Sequence, residues 1–125
     1  MGIERLDHVN VVTTRLDEMV TWYQTVLGLT LGPRPNFPFP GAWLYAGDHP
    51  VVHLVESDQK KVGSETGLKL EHFAFEATDM AAFEATLSKH NQSFEKSAVS
   101  GTTLTQVHIA DPDGNHIHVD FDTGG

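Results

Sequence analysis

Eight histidines stand in a chain of 125 residues that has no cysteine. Imidazole is the side chain whose charge changes near neutral pH, and its neutral form is the commonest protein ligand of transition metals. Without thiolates, a metal site here has to be built from histidine nitrogen and carboxylate or other oxygen. Four histidines lie inside or beside apolar runs: His8 in LDHVNVV, His53 in VVHLVE, His72 in LEHFAFEA and His118 in GNHIHVDF. His8 and His72 are 64 residues apart, and His53 and His118 are 65 apart. Four imidazoles at matched positions need hydrogen-bond partners or a cation, and this pattern points to a metal centre. His116 shares the strand face of His118 and is its rival as ligand, or a group supporting it. His49, His90 and His108 read as ordinary structural histidines.

The elements that would carry these residues come in a repeated order. Residues 3–12 read as a strand, and Thr14 with Asp17 as a helix start. Leu16, Met19, Val20, Tyr23 and Leu27 recur at helical spacing up to Gly28, which ends the helix. Short strands follow at 29–32, 43–46 and 51–55, the last two joined by a turn at 47–50. Residues 68–77 repeat the first strand, and Asp79 caps a helix with Met80, Phe83 and Leu87 on its apolar side. Strands around 94–99 and 102–110, the turn Asp111-Pro112-Asp113-Gly114-Asn115 and a strand at 116–121 complete the second copy. RLDHVNVVTTRLDEM aligns with KLEHFAFEATDMAAF, and GDHPVVHLV with DPDGNHIHV. The chain therefore reads as α+β, a single domain 1–125 of two βαβββ units, 1–57 and 68–125, with a polar hinge at 57–67.

Side chains alternate faces along a strand, so parity shows which residues converge. Val9, Val11, Phe73, Phe75, Ile117 and Val119 supply an apolar face for the helices. His8, His53, His72 and His118 all fall on the opposite face. Glu76 and Asp120 share that parity, and Glu76 is a candidate polar wall of a cavity. Asn10 is a candidate polar wall, and Trp43 and Tyr45 candidate aromatic walls, of a substrate cavity. The segment PRPNFPFPG, Pro33 to Gly41, is too rich in proline for a ladder strand. It reads as a loop whose Phe39 could border a cavity mouth and whose Arg34 could attract an anionic group.

Composition narrows the functions. The formal charge of −9 repels phosphate backbones, which argues against a nucleic-acid partner. No apolar run approaches the ~20 residues of a membrane span, and the first residues do not resemble a signal peptide, so a cytoplasmic protein without membrane attachment is expected.

The motifs LDHVNVVT, WYQTVLGLTLG, GAWLYAG with VVHLVE, LEHFAFEA and DPDGNHIHVDF together resemble the vicinal oxygen chelate superfamily of glyoxalases, bleomycin- and fosfomycin-resistance proteins and extradiol dioxygenases. The resemblance covers essentially the whole chain. It implies a curved mixed sheet with helices on its outer face and a concave face holding one divalent transition metal (Zn, Ni, Co, Mn or Fe). Its ligand positions fall on His8, His53, His72 and His118. The family most often has glutamate where His118 stands, which weakens a glyoxalase-type proton transfer through that ligand and turns attention to Glu76 and Asp120. The implied function is a lyase or isomerase acting on a small substrate that chelates through two neighbouring oxygens. A ring-cleaving dioxygenase and a thiol-adding resistance enzyme stand behind it, and a non-catalytic drug-binding protein is the alternative of another class. Paired units and open sheet edges lead to the expectation of a homodimer.

Overall fold

A computed structural model describes residues 1–58 and 69–124; most of the expected hinge, from residue 59 on, lies outside them. The chain divides into two compact units, Met1–Val62 and Gly63–Gly125. The first carries β1 (Val9–Thr13), α1 (Leu16–Thr25), β2 (Thr30–Gly32), β3 (Gly41–Ala46) and β4 (His49–Glu56). The second carries β5 (His72–Ala77), α2 (Met80–Lys89), β6 (Glu95–Ala98), β7 (Leu104–Ala110) and β8 (His116–Asp122). Each forms its own four-stranded mixed sheet, β1-β4-β3-β2 and β5-β8-β7-β6. The outer pairs β1–β4 and β5–β8 are parallel and the other neighbours antiparallel. The two βαβββ units expected from the repeat are therefore present with identical topology.

Strand alternation sorts the residues as the parity argument requires. Leu44, Val52 and Leu54 are buried in the first unit beneath Met19, Trp22 and Tyr23 of α1. Val107, Ile109, Ile117, Val119 and Phe121 are buried in the second, with Leu87 of α2. The Phe83 ring of α2 lies 5.6 Å from that of Phe121, so this helix covers the odd-numbered face of β8. His116, His118 and Asp120 consequently point away from it. Each fully buried large apolar side chain stabilises its unit by about 1.5–3 kcal/mol.

Several local expectations need correction. The strand expected over 68–77 begins only at His72, and the one expected over 102–110 only at Leu104. The first strand begins at Val9, not at residue 3, because its ladder with β4 starts at Val9 opposite Val52, and the preceding residues are exposed. Thr14 does not cap α1; the Thr13 hydroxyl accepts the Arg15 N–H at 3.0 Å instead, and Arg15 is the capping residue without a side-chain bond. The turn between β3 and β4 is only Gly47-Asp48, with Gly47 at φ +63°, and His49 and Pro50 already belong to β4. The other punctuation stands. Gly28, at φ +72°, closes α1 through its N–H to the Gln24 carbonyl and that of Leu29 to the Tyr23 carbonyl. Asp111 holds its turn by accepting the N–H groups of Asp113 and Asn115 on Oδ1.

Asp79 caps α2 by accepting the Ala82 N–H at 3.1 Å. Asp79→Ala is expected to lower unfolding stability by about 1 kcal/mol, read from urea denaturation.

Candidate metal centre

In the first unit β4 lies between β1 and β3, which puts His53 between two rings. His8, just ahead of β1, stacks on His53 with centroids 3.8 Å apart, and Trp43, opposite His53 on β3, stacks at 4.0 Å. His8 Nδ1 donates to Asp7 Oδ2 at 2.7 Å, since an ionised carboxylate can only accept. That leaves the lone pair of His8 on Nε2. His53 Nε2 donates to the Pro50 carbonyl at 3.2 Å, leaving its lone pair on Nδ1. Burial, and then the neighbouring His8, holds the His53 pKa below the ordinary histidine value.

The second unit repeats the arrangement. His72 Nδ1 donates to Glu71 Oε1 at 2.8 Å, and the His72 and His118 rings lie 4.0 Å apart. His118, only 6% exposed, donates from Nδ1 to Asp120 Oδ1 at 3.2 Å. A ring with one nitrogen anchored as a donor presents the other as a lone pair, the usual preparation of a metal-binding histidine. All four sequence-derived histidines have that form, two in each unit. The donor chemistry therefore fits a divalent transition metal.

The structure also brings in residues that the sequence reading passed over. Asp7 and Glu71 occupy equivalent positions of the repeat, each directly before its histidine. Both were visible in the aligned LDH and LEH, but a carboxylate next in sequence points to the other face of a regular strand. Because these residues precede the ladders, their side chains can turn back to the adjacent ring. The bonds from His8 to Asp7, and from His116 and His72 to Glu71, hold both carboxyl pKa values below the usual range. His49 joins this group through Asp7, its Nε2 lying 2.9 Å from Oδ1.

His108, read as an ordinary structural histidine, belongs instead to the polar face of β7 opposite Val107 and Ile109. It sits across from His118 in register, its ring 4.7 Å away. Its Nδ1 is 3.1 Å from His116 Nε2, and its Nε2 is 2.8 Å from Ser97 Oγ. One ligand atom each from His108, His116 and His118 lie within 4.8 Å of one another. The same holds for Glu71, His72 and His116. Parity along β7 would have revealed His108 had it been applied there. Its pKa is lowered by burial and by His118 and His116.

The other sequence-derived residues are dispersed. Asn10 is exposed on β1 in register with His53, and Glu76 is exposed on β5 in register with Asp120. Trp43 is committed to its stack on His53. Tyr45 lies over Gly32, where a Cβ would come within 2.7 Å of its ring, and its hydroxyl donates to the Pro33 carbonyl. Phe39 is 40% exposed and stacks on Phe37 at 5.1 Å. Arg34 lies over both rings and donates to the Phe39 carbonyl at 3.2 Å, so it clamps its own loop.

Two mixed βαβββ sheets with histidines on the faces away from the apolar cores define a glyoxalase-type fold. The chain belongs to the Glyoxalase/Bleomycin resistance protein/Dioxygenase superfamily, whose model matches residues 5–119. It is 29% identical over 124 residues to Glyoxylase I 4 of Arabidopsis thaliana, an alignment covering 95% of this chain and 71% of that protein. The glyoxylase/bleomycin resistance protein/dioxygenase domain from Frankia sp. EAN1pec superimposes with a TM-score of 0.79 at 19% identity, covering 97% of this chain and 99% of the other. Lactoylglutathione lyase from Agrobacterium tumefaciens superimposes with a TM-score of 0.72 at 17% identity, covering 98% and 97%. No helix among the described residues is long and apolar enough to cross a membrane.

A histidine whose folded pKa is depressed favours folding fully above its unfolded value of about 6.5, and that contribution is lost as pH falls toward the folded pKa. In metal-free protein, NMR titration of the ring carbons is expected to show His53 ionising below about 6.5 and moving upward in the His8→Ala variant.

Proposed function

We propose that this chain is a metal-dependent enzyme of the lyase or isomerase type, acting on a small substrate that chelates through two neighbouring oxygens. The observation that carries the reading is the pairing of imidazoles at repeat-equivalent positions, each with one nitrogen anchored. His8 and His53 from the first unit and His72 and His118 from the second would hold one divalent ion, taken from one chain or from two chains of a homodimer. When bound, such an ion would supply Lewis-acid polarisation of the chelating oxygens. Four neutral ligands would leave its charge of about +2 uncancelled and favour an anionic, bidentate substrate. The names of the Arabidopsis and Agrobacterium relatives support a glyoxalase-type activity, and a soluble substrate such as a 2-oxoaldehyde–thiol adduct follows from it.

The chain's own residues divide the remaining work. Asp120 accepts the His118 Nδ1–H and holds that ring in one tautomer, as Asp7 and Glu71 do for His8 and His72. Glu76, exposed beside Asp120 in the ladder, would be the carboxylate that moves a proton where the family more often has a ligating glutamate. Phe37 and Phe39 provide an apolar, exposed pair that suits a substrate wall.

The test is a screen of zinc-, nickel- and iron-loaded protein against 2-oxoaldehyde–thiol adducts, catechols and fosfomycin with thiol. Isomerisation of the adducts is expected, abolished by chelator and restored by metal. Oxygen-dependent catechol cleavage would replace this reading with a dioxygenase, and inactivity with tight binding of an aromatic drug would replace it with a sequestering protein. The double variant His8→Ala/His53→Ala is expected to lose more than about a hundredfold in kcat/KM, because it removes two ligands where loss of a supporting group alone costs about 10–100-fold. Phe39→Ala is expected to raise KM several-fold with kcat and metal content unchanged, the pattern of lost uniform binding.

A further inference from the structure

The second unit carries a proton chain that the four-histidine reading does not use. Glu71 is ionised, so His116 Nδ1 must donate to it, and the His116 lone pair is then on Nε2. That nitrogen is 3.1 Å from His108 Nδ1, which therefore donates to it. His108 Nε2 then accepts from the Ser97 hydroxyl at 2.8 Å. The chain runs from Ser97 through His108 and His116 to Glu71, with one N–H held between two rings. The third ring, His118, is buried, anchored by Asp120 and aligned with His108 across the β7–β8 ladder.

The geometry points to a second metal site made by His108, His116 and His118, wholly within one sheet, that takes zinc or a similar imidazole-binding divalent cation. Ligands at about 2.0–2.1 Å around a tetrahedral ion stand about 3.3 Å apart, close to the 3.1 Å between His108 Nδ1 and His116 Nε2. An ion takes the place of the proton between those nitrogens. His108 shifts its hydrogen to Nε2, and Ser97 turns from donor to acceptor, which a hydroxyl can do by rotation. Each ligand then has an oxygen on its far nitrogen: Ser97 for His108, Glu71 for His116 and Asp120 for His118. Three imidazoles leave a fourth position for water or a small anion. Because His118 belongs to both sets, this site and the proposed four-histidine centre exclude each other, and a chain unable to complete the larger set still binds one ion.

The test uses the full chain and zinc alone, titrated calorimetrically, with circular dichroism to verify folding. The variant His8→Ala/His53→Ala/His72→Ala removes the four-histidine set and the Glu71–His72–His116 group together. It is expected to bind one zinc per chain. Adding His108→Ala is expected to weaken that binding at least a hundredfold, whereas adding His90→Ala, an exposed residue outside the cluster, leaves it unchanged. A folded triple variant that binds no zinc overturns the site, as does one whose affinity is unaltered by His108→Ala. If the four-histidine centre alone is wrong, His8→Ala/His53→Ala retains full activity while zinc binding still follows His108. The two readings therefore fail on different variants.

Discussion

A residue in a strand has two directions open to it, and each sheet of this protein uses both. One face of β4 and of β8 supplies the branched and aromatic groups that meet a helix. The other collects imidazoles that would be costly to bury without partners. Inverting the register by one residue would exchange the two sets completely. The apolar packing of Val52 and Leu54, or of Ile117 and Val119, is thus what aims His53 and His118. Core and candidate site are two consequences of one alternation, and a helix-facing substitution that slipped the ladder would disturb both.

The imidazoles gain their definition from oxygens. Asp7, Glu71 and Asp120 are carboxylates, each holding an Nδ1–H, and the Pro50 carbonyl does the corresponding work on His53 from the opposite ring nitrogen. A carboxylate partner fixes ring orientation and raises the basicity of the remaining nitrogen. In the first unit the result is a three-ring stack with Trp43; in the second it is a connected cluster of four histidines. The units share topology but not polarity, since β3 offers tryptophan where β7 offers His108. That difference is why the two halves of a repeat can differ in their readiness to hold a cation by themselves.

Histidine at position 118 alters the chemistry expected of this fold. A glutamate there would lower the net charge of a bound ion and could itself carry a proton. Imidazole at that position does neither in its neutral form; the carboxylate that shares its face on the neighbouring strand is Glu76, exposed on β5 in register with Asp120. The aromatic residues near the first sheet divide similarly. Trp43 and Tyr45 are occupied by His53 and by the Gly32–Pro33 segment, while Phe37 and Phe39 keep a substantial exposed surface.

Period-two alternation, two glycine-closed or aspartate-capped helices and a self-alignment at 64–65 residues were sufficient for the sequence by itself to determine the βαβββ order, the helix-facing residues and the four histidines opposite them. Those features are local or repeat-based, and local backbone geometry enforces them. Where β1 begins, which residue starts α1, and the partners of each ring depended on contacts between residues distant in the chain. His8 was legible from spacing, but its bond to Asp7 was not, because the backbone leaves the regular ladder just before Val9. His108 became part of a cluster only when antiparallel pairing set it opposite His118, 10 residues further along. Alternation assigns a side chain to a face; only the register between strands decides which side chains on that face meet.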